Sequence, residues 1–487
     1  MVPGMPIEAG WLALGVAFGS GVLLLIFAAE SAWLAAQVLL MPEWHESQSD
    51  AVDWPSVTVQ LPLFNERQVV DRLIRSVASL DYPRERMMIQ VLDDSTDDTT
   101  DRVARVLDAL RADGFQVSHI RRTSRTGFKA GALAHGMALQ ESEAYAVFDA
   151  DFVPPPDFLR RVMPMLMTGR TAAVQARWTH LNQHTSLYTR LQALALDVHF
   201  LVEQSARYRC GYWMNFNGTA GVWRREAIES AGGWSDDTIT EDLDLSIRVQ
   251  LGGWRIVYLG HLSVPAELPE EVRAIRNQQF RWSRGGAQTA AKLASAVFSS
   301  DAGARRKWHA AFLMFGHAVF PILLLMAAAG LFVPEEVVLR GASWLEASIR
   351  ISWTATGLVC VAHLIALHRR NLSIAHMFRS AWLIPVLMVW TMGLTWQNTR
   401  AVIGGWLKRK TDFVRTPKGS AYGPAAVAGG GWHEMMIGLV FLMPLFLRTG
   451  QNPFFGLHTM LAAGLLLVGA ATWMETILNT YERPSDR

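Results

Sequence analysis

The sequence predicts a mostly parallel α/β domain with flanking helices, inserted between α-helical membrane segments. Three observations carry this. From Val57 to about Gly260, short β-rich runs alternate with helix-length amphipathic ones, the pattern of βαβ units. Apolar stretches about as long as a bilayer core requires stand on both sides of that region. Carboxylate pairs follow two of the β-rich runs, where the ligands of parallel sheets sit.

Composition agrees with a chain of two natures. At 487 residues it exceeds what one core organises, so at least two structural units are expected. An apolar fraction of 51% is too high for an ordinary soluble protein, and 18% charged residues is too many for a wholly embedded one. The mean hydropathy of +0.16 says the same. A net charge of +2, with no arginine-rich or aromatic-interleaved patch, gives no reason to invoke nucleic acid as a partner. Two cysteines, Cys210 and Cys360, make neither a disulfide framework nor a zinc site.

The first segment, 1–42, contains a charge-free run at 11–29. No basic residue precedes it and its apolar part is too long for a signal peptide, so it reads as a retained span. Further apolar stretches lie near 309–333, 351–368, 376–397, 434–447 and 454–474, within the region 301–487. The domain at 54–300 is expected in the cytoplasm, and Arg305, Arg306 and Lys307 before the second span agree with that side. The basic segment from Arg400 to Lys418 then also falls inside, provided that 376–397 does not cross. Arg379, Pro385 and the polar end Gln397, Asn398 favour a helix lying at the interface. Five spans are therefore expected, with the N-terminus outside and the lipid bilayer as a partner. The expected location is the plasma, or inner, membrane, with the domain at 54–300 cytoplasmic.

Within 54–300 the runs at 57–64, 87–94, 115–122 and 144–151 read as strands, and 67–80, 97–112, 128–140 and 156–168 as the helices after them. Asp93-Asp94 and Asp149-Ala150-Asp151 thus fall at strand ends. A carboxylate after a strand is often only a turn former, but two pairs in this order describe one composite site. Asp149 and Asp151 are the candidates to hold Mg²⁺ or Mn²⁺ against the diphosphate of a nucleotide-sugar donor, since hard cations take oxygen ligands. Asp94 is expected near the nucleoside or in the metal's outer shell, Lys129 near the phosphates, and Pro62 to Glu66 along the base and ribose. Thr240-Glu241-Asp242 opens a helix, and Asp242 is the candidate base that takes the acceptor's proton. Glu241 and Asp244 are also explained as first-turn acids favoured by the helix dipole. Gln278, Arg281 and Trp282 share one face if helical; the tryptophan suits a sugar ring and the arginine a leaving diphosphate.

These motifs, with VQLPLFNE, GFKAGAL, QARW, NFNGTAGVWRREAI and QQFRWSRG around them, resemble the family 2 glycosyltransferases. Within these the chain resembles the processive synthases related to the cellulose synthase catalytic subunit, and more closely the cellulose-synthase-like A and C proteins, which make β-mannan and glucan backbones. The resemblance is dense over about 55–300. It implies a GT-A type domain and an inverting transfer of hexose from GDP-mannose or UDP-glucose to a growing β-1,4-linked polysaccharide acceptor. Carried over by position, it implies Asp94 at the nucleotide, Asp149 and Asp151 at the diphosphate and metal, and Asp242 as base with Glu241 on the acceptor side. Gln278 and Arg281 would reach the donor and Trp282 the acceptor, with Phe216 and Asn217 in a short loop beneath it. A gating loop at 401–420 is implied by Phe413, Thr416 and Lys418, although Arg415 departs from the family's valine.

Two other functions compete with this one. A single-addition enzyme acting on a membrane lipid lacks a reason for the gating-loop match. A binding or translocating protein with an inactive domain requires a missing carboxylate, and none is missing.

Overall fold

The computed structural model describes residues 6–41, 54–370, 373–407, 430–447 and 454–481. Among them seven strands build one sheet: β1 Val57–Leu63, β2 Met87–Asp93, β3 Gln116–Ile120, β4 Ala144–Val147, β5 Thr171–His180, β6 Gly221–Arg224 and β7 Arg255–Ala266. Their order is β3-β2-β1-β4-β6-β5-β7. β1 pairs in parallel with β2 and β4, β2 with β3, and β5 with β7. Only β6 runs antiparallel to its neighbours, between β4 and β5.

Local sequence explains why the parallel half forms. Strands covered on both faces read as near-continuous apolar runs rather than alternating ones. β1 is such a run: of VTVQLPL, only Pro62 is not buried. The helix after it, Val70–Ala78, buries Val70, Leu73, Ile74 and Val77, the spacing of one helical face. The helices Thr99–Ala112, Phe128–Leu139 and Phe158–Leu166 follow β2, β3 and β4. Register then brings the strand ends level, with Leu63 opposite Asp93. The expected mostly parallel sheet with flanking helices is what the domain has.

Among the described residues five helical segments are long and apolar enough to cross a membrane: Ile7–Leu40, Ala304–Leu331, Ser343–Arg369, Ile374–Gly393 and Phe455–Leu478. The fourth coincides with the stretch that the sequence places along the interface. It comprises two helices, Ile374–Ala381 and Leu383–Gly393, parted at Trp382. The apolar helix Trp432–Met443 is shorter. Thr395–Trp406 is helical, while Phe413, Arg415, Thr416 and Lys418 lie outside the described residues.

One buried polar contact fixes how the Phe128–Leu139 helix lies on the sheet. Gln60 donates to the Gln90 side chain at 2.8 Å and to the Leu133 carbonyl at 3.2 Å, and Gln90 donates to the Gly136 carbonyl at 3.0 Å. A Cβ at Gly136 would stand 2.6 Å from Gln60 Nε2 and closer still to Gln90 Oε1. Overpacking of this kind costs about 1–3 kcal/mol, against about 1 kcal/mol gained in helix propensity over glycine. Gly136→Ala should therefore lower the melting temperature of the solubilised protein; an unchanged or raised value would show that the glutamine pair gives way without cost.

Candidate active site

The motifs meet in one cleft of about 540 Å³ at the carboxyl ends of β1, β2 and β4. Pro62, Glu66, Asp94, Lys129, Asp149, Asp151, Asn217, Glu241, Asp242, Gln278, Arg281 and Trp282 all line it. Phe216 does not. It is fully buried, 5.0 Å from the Trp223 ring, and its backbone N–H donates to Ser246 Oγ at 2.8 Å. Its neighbour Asn217 faces the cleft instead, held by Gln204 at 2.7 Å and by His199 at 2.8 Å.

The two residues of Asp93-Asp94 play different parts. Asp93 is buried, 2.9 Å from His119, and accepts from the Ser95 N–H at 2.9 Å. Burial would raise its carboxyl, but these bonds hold it at about 2. It is a strand-end anchor. Asp94 reaches the cleft and is gripped by both arms of the Arg122 guanidinium, at 3.0 and 2.5 Å. Arg122 also donates to the carbonyls of Thr126 and Phe128, so one side chain ties the turn before the Phe128–Leu139 helix to the end of β2. The sequence shows a basic run here and nothing that marks Arg122 within it. Phe64, within the stretch Pro62 to Glu66 expected along the base and ribose, lines the cleft, and Arg125, Trp178 and His180 are further walls that the motif order does not single out. Arg125 stacks 3.4 Å over the Phe64 ring, and Trp178 belongs to QARW.

Lys129 is the central cation. Its Nζ donates to Asp149 Oδ1 at 2.6 Å and to the Gly218 carbonyl at 2.9 Å. Burial would lower its pKa, and Asp149, Glu241 and Asp242 together raise it, so it stays charged. Glu241 and Asp242 open the helix Glu241–Leu251 after Thr240. Burial lifts both carboxyls; for Asp242 the neighbouring Glu241 adds to this, Lys129 opposes it, and the result is about 7. Arg281 is pulled down by burial while Asp149 and Glu241 sustain its charge. Asp244 does take the structural role: it is fully buried and bound by Arg248 at 2.7 Å and Lys292 at 2.8 Å.

Backbone strain concentrates around these groups. The non-glycine residues with left-handed φ among those described are Asn65, Phe128 and Ala220, at 56°, 46° and 56°. Phe128 lines the cleft and Asn65 stands between Phe64 and Glu66, which line it too, as expected where surrounding structure over-determines a functional site. The oxygen chemistry of Asp149 and Asp151 fits a hard divalent cation. Among the described residues no three histidine, cysteine or acidic side chains gather to hold one. A cation there needs the donor's phosphate oxygens to complete its shell.

A mostly parallel sheet whose strand ends bring Asp94, Asp149 and Asp151 into one cleft with Lys129, beside an acid-led helix, defines a GT-A type domain. Residues 55–285 match the family described as "Glycosyltransferase like family 2", and this domain belongs to it. The chain is 43% identical over 295 residues to glucomannan 4-beta-mannosyltransferase 1 of Oryza sativa subsp. japonica, covering 58% of this chain and 57% of that one. It is 44% identical over 257 residues to glucomannan 4-beta-mannosyltransferase 2 of Arabidopsis thaliana, covering 52% and 48%. The chain thus spans about half the length of the curated relatives it matches. Among solved structures, the mannosyltransferase PcManGT of Pyrobaculum calidifontis, in complex with GDP-Man and Mn²⁺, shares the fold at 20% identity and a TM-score of 0.51, over 82% of this chain and all of that one.

Gly218 lets the acids and Lys129 meet. Its φ is +82°, and a Cβ there would stand 2.9 Å from Asp242 Oδ2 and 3.5 Å from Lys129 Nζ. Gly218→Ala should cost about 1–2 kcal/mol in the left-handed region and displace the carboxylate. The protein is expected to fold with a slightly lower melting temperature and to lose glycosyl transfer in a membrane assay while its affinity for nucleoside diphosphate stays close to that of the wild type; a wild-type rate would show that the carboxylate's position is immaterial.

Proposed function

We propose that the chain transfers a hexose from a nucleotide sugar to the growing end of a β-1,4-linked polysaccharide, with inversion, and passes the product through its membrane helices. The observation that carries this reading is the convergence of Asp242, with its carboxyl raised to about 7, on the cleft that Lys129, Asp149, Asp151, Arg281 and Trp282 share. The names of the relatives favour GDP-mannose as donor over UDP-glucose. The cleft faces the cytoplasm in this reading, supported by Arg305, Arg306 and Lys307 at the start of Ala304–Leu331.

The chemistry follows from the charges. The acceptor hydroxyl oxygen attacks the anomeric carbon while Asp242 takes its proton, and the bond from that carbon to the diphosphate oxygen breaks with its electron pair. A carboxyl near 7 is half ionised at neutral pH, which suits a general base. Lys129 and Arg281 face the charge that develops on the leaving group. Trp282 offers its ring to the acceptor sugar. Asp149 and Asp151 would hold Mg²⁺ or Mn²⁺, which supplies neutralisation of the diphosphate.

Membranes bearing the protein, incubated with labelled GDP-mannose or UDP-glucose, should yield a polymer that only the matching β-1,4-glycanase digests. Label confined to lipid extracts would favour single addition; no label from either donor would end the transferase reading. Asp242→Asn should cut the rate about 10²- to 10⁴-fold with donor affinity nearly intact. In the wild type the rate should rise with pH through a limb near 7, because Asp242 must lose its proton to act. A limb near 4 would remove Asp242 from that role. Asp151→Ala and EDTA should each abolish donor binding, and full affinity in EDTA would make the Asp149-Ala150-Asp151 motif structural.

A further inference from the structure

The helix Val272–Ser299 carries Gln278, Arg281 and Trp282 into the cleft. At about 100° per residue, Arg276 points roughly away from all three. It runs instead into the membrane half, where it is 2% exposed. Its Nε donates to Gln397 Oε1 at 2.6 Å, Nη1 donates to Thr472 Oγ1 at 2.8 Å, and Nη2 pairs with Glu434. Gln397 returns a bond to the Arg276 carbonyl at 2.5 Å. One turn earlier, Glu475 accepts from the N–H groups of Val272 and Arg273 at 2.7 and 3.0 Å, so the helix start is capped by a side chain some two hundred residues on in the chain. Gln397, Glu434 and the pair Thr472 and Glu475 come from three different helices, Thr395–Trp406, Trp432–Leu447 and Phe455–Tyr481.

We propose that Arg276 is a positioning residue: the buried fork it makes with Gln397, Thr472 and Glu434 sets the register of the Val272–Ser299 helix, and with it the placement of Arg281 and Trp282 in the cleft. The inference rests on the transferase reading only for its kinetic consequence. A guanidinium is required because three partners sit on three nitrogens in a fixed planar fork, which an ammonium cannot match. The same helix reaches the acid-led segment on its far side. Gln288 accepts from the Ile239 N–H at 3.0 Å, and a Cβ at Gly285 would strike Thr240. A shift along the helix axis therefore moves both the arginine that faces the diphosphate and the support of Glu241 and Asp242.

The test uses the full-length protein in nanodiscs, with Cys210→Ser and Cys360→Ala as background. Arg276→Lys keeps the charge and loses the fork; Glu475→Gln keeps the fork and loses one of the two capping oxygens. Per folded enzyme, Arg276→Lys should lower kcat about 10²-fold, the scale of a misplacement near 1 Å, with donor KM within threefold. Glu475→Gln should act in the same direction by about tenfold. Spin labels on Ala109→Cys and Ser295→Cys, both exposed positions, should report a shifted or broadened distance in each variant. An unchanged kcat per folded enzyme, a loss carried wholly by KM, or an unchanged label distance would each overturn the proposal. Should the wild type transfer no hexose, the transferase reading fails, and the label distances alone decide the register.

Discussion

The arrangement of the cleft depends on neutralising carboxylates that cannot otherwise share a poorly solvated space. Asp149, Asp151, Glu241 and Asp242 line one cavity, and like charges at close quarters with burial force protons on or the walls apart. Lys129 resolves this by bonding Asp149 and the Gly218 carbonyl at once, which links the end of β4 to the loop before β6. The left-handed turn through Gly127 and Phe128 and the open backbone at Gly218 are the local conditions for that ammonium to arrive. Arg281 adds a second positive group from a separate helix. Burial first, and the neighbouring Glu241 second, leave the carboxyl of Asp242 raised against the pull of Lys129.

The Val272–Ser299 helix joins the two natures of the chain. One side completes the cleft, another supports the Thr240-Glu241-Asp242 segment through Gln288 and Gly285, and the remaining side is held among the C-terminal helices. Gly404 and Gly405 of Thr395–Trp406 permit close approach to it: a Cβ at Gly405 would lie 2.7 Å from Ala287 Cβ. The sheet domain and the helices long enough to cross a membrane therefore share a structural element. Burying an ion pair there brings little net stability for its own sake, which is why a role in register accounts for Arg276 and Glu434 better than a role in stability.

Several distinctions within the site were beyond motif reading, each for a physical reason. Asp93 is the last residue of β2 and Asp94 the first beyond it, and which of the two reaches the cleft is decided by their partners, His119 for the one and Arg122 for the other. Phe216 and Asn217 stand in the loop before β6, where bonds to Ser246 on one side and to Gln204 and His199 on the other, not a strand period, send one to the core and the other to the cavity. Glu241, Asp242 and Asp244 are equally good first-turn acids in sequence; only the position of Arg248 and Lys292 makes Asp244 structural. Arg122 stands in a run of similar basic residues, and its task is defined by the turn it closes.

What the sequence determined is what short-range periodicity and residue type can encode. β1 to β4, the helices between them and the apolar segments on either side are legible because buried parallel strands are continuous apolar runs and amphipathic helices repeat at 3.6 residues. The motif carboxylates, Lys129 and the Gln278, Arg281, Trp282 face were legible because strand ends and helical spacing place them. Tertiary structure alone decided the charge balance around Lys129 and the anchoring of Arg276, whose partners lie 121, 158 and 196 residues away along the chain. Contacts at such separations leave no period in the sequence, and they exist only once packing has brought distant helices together.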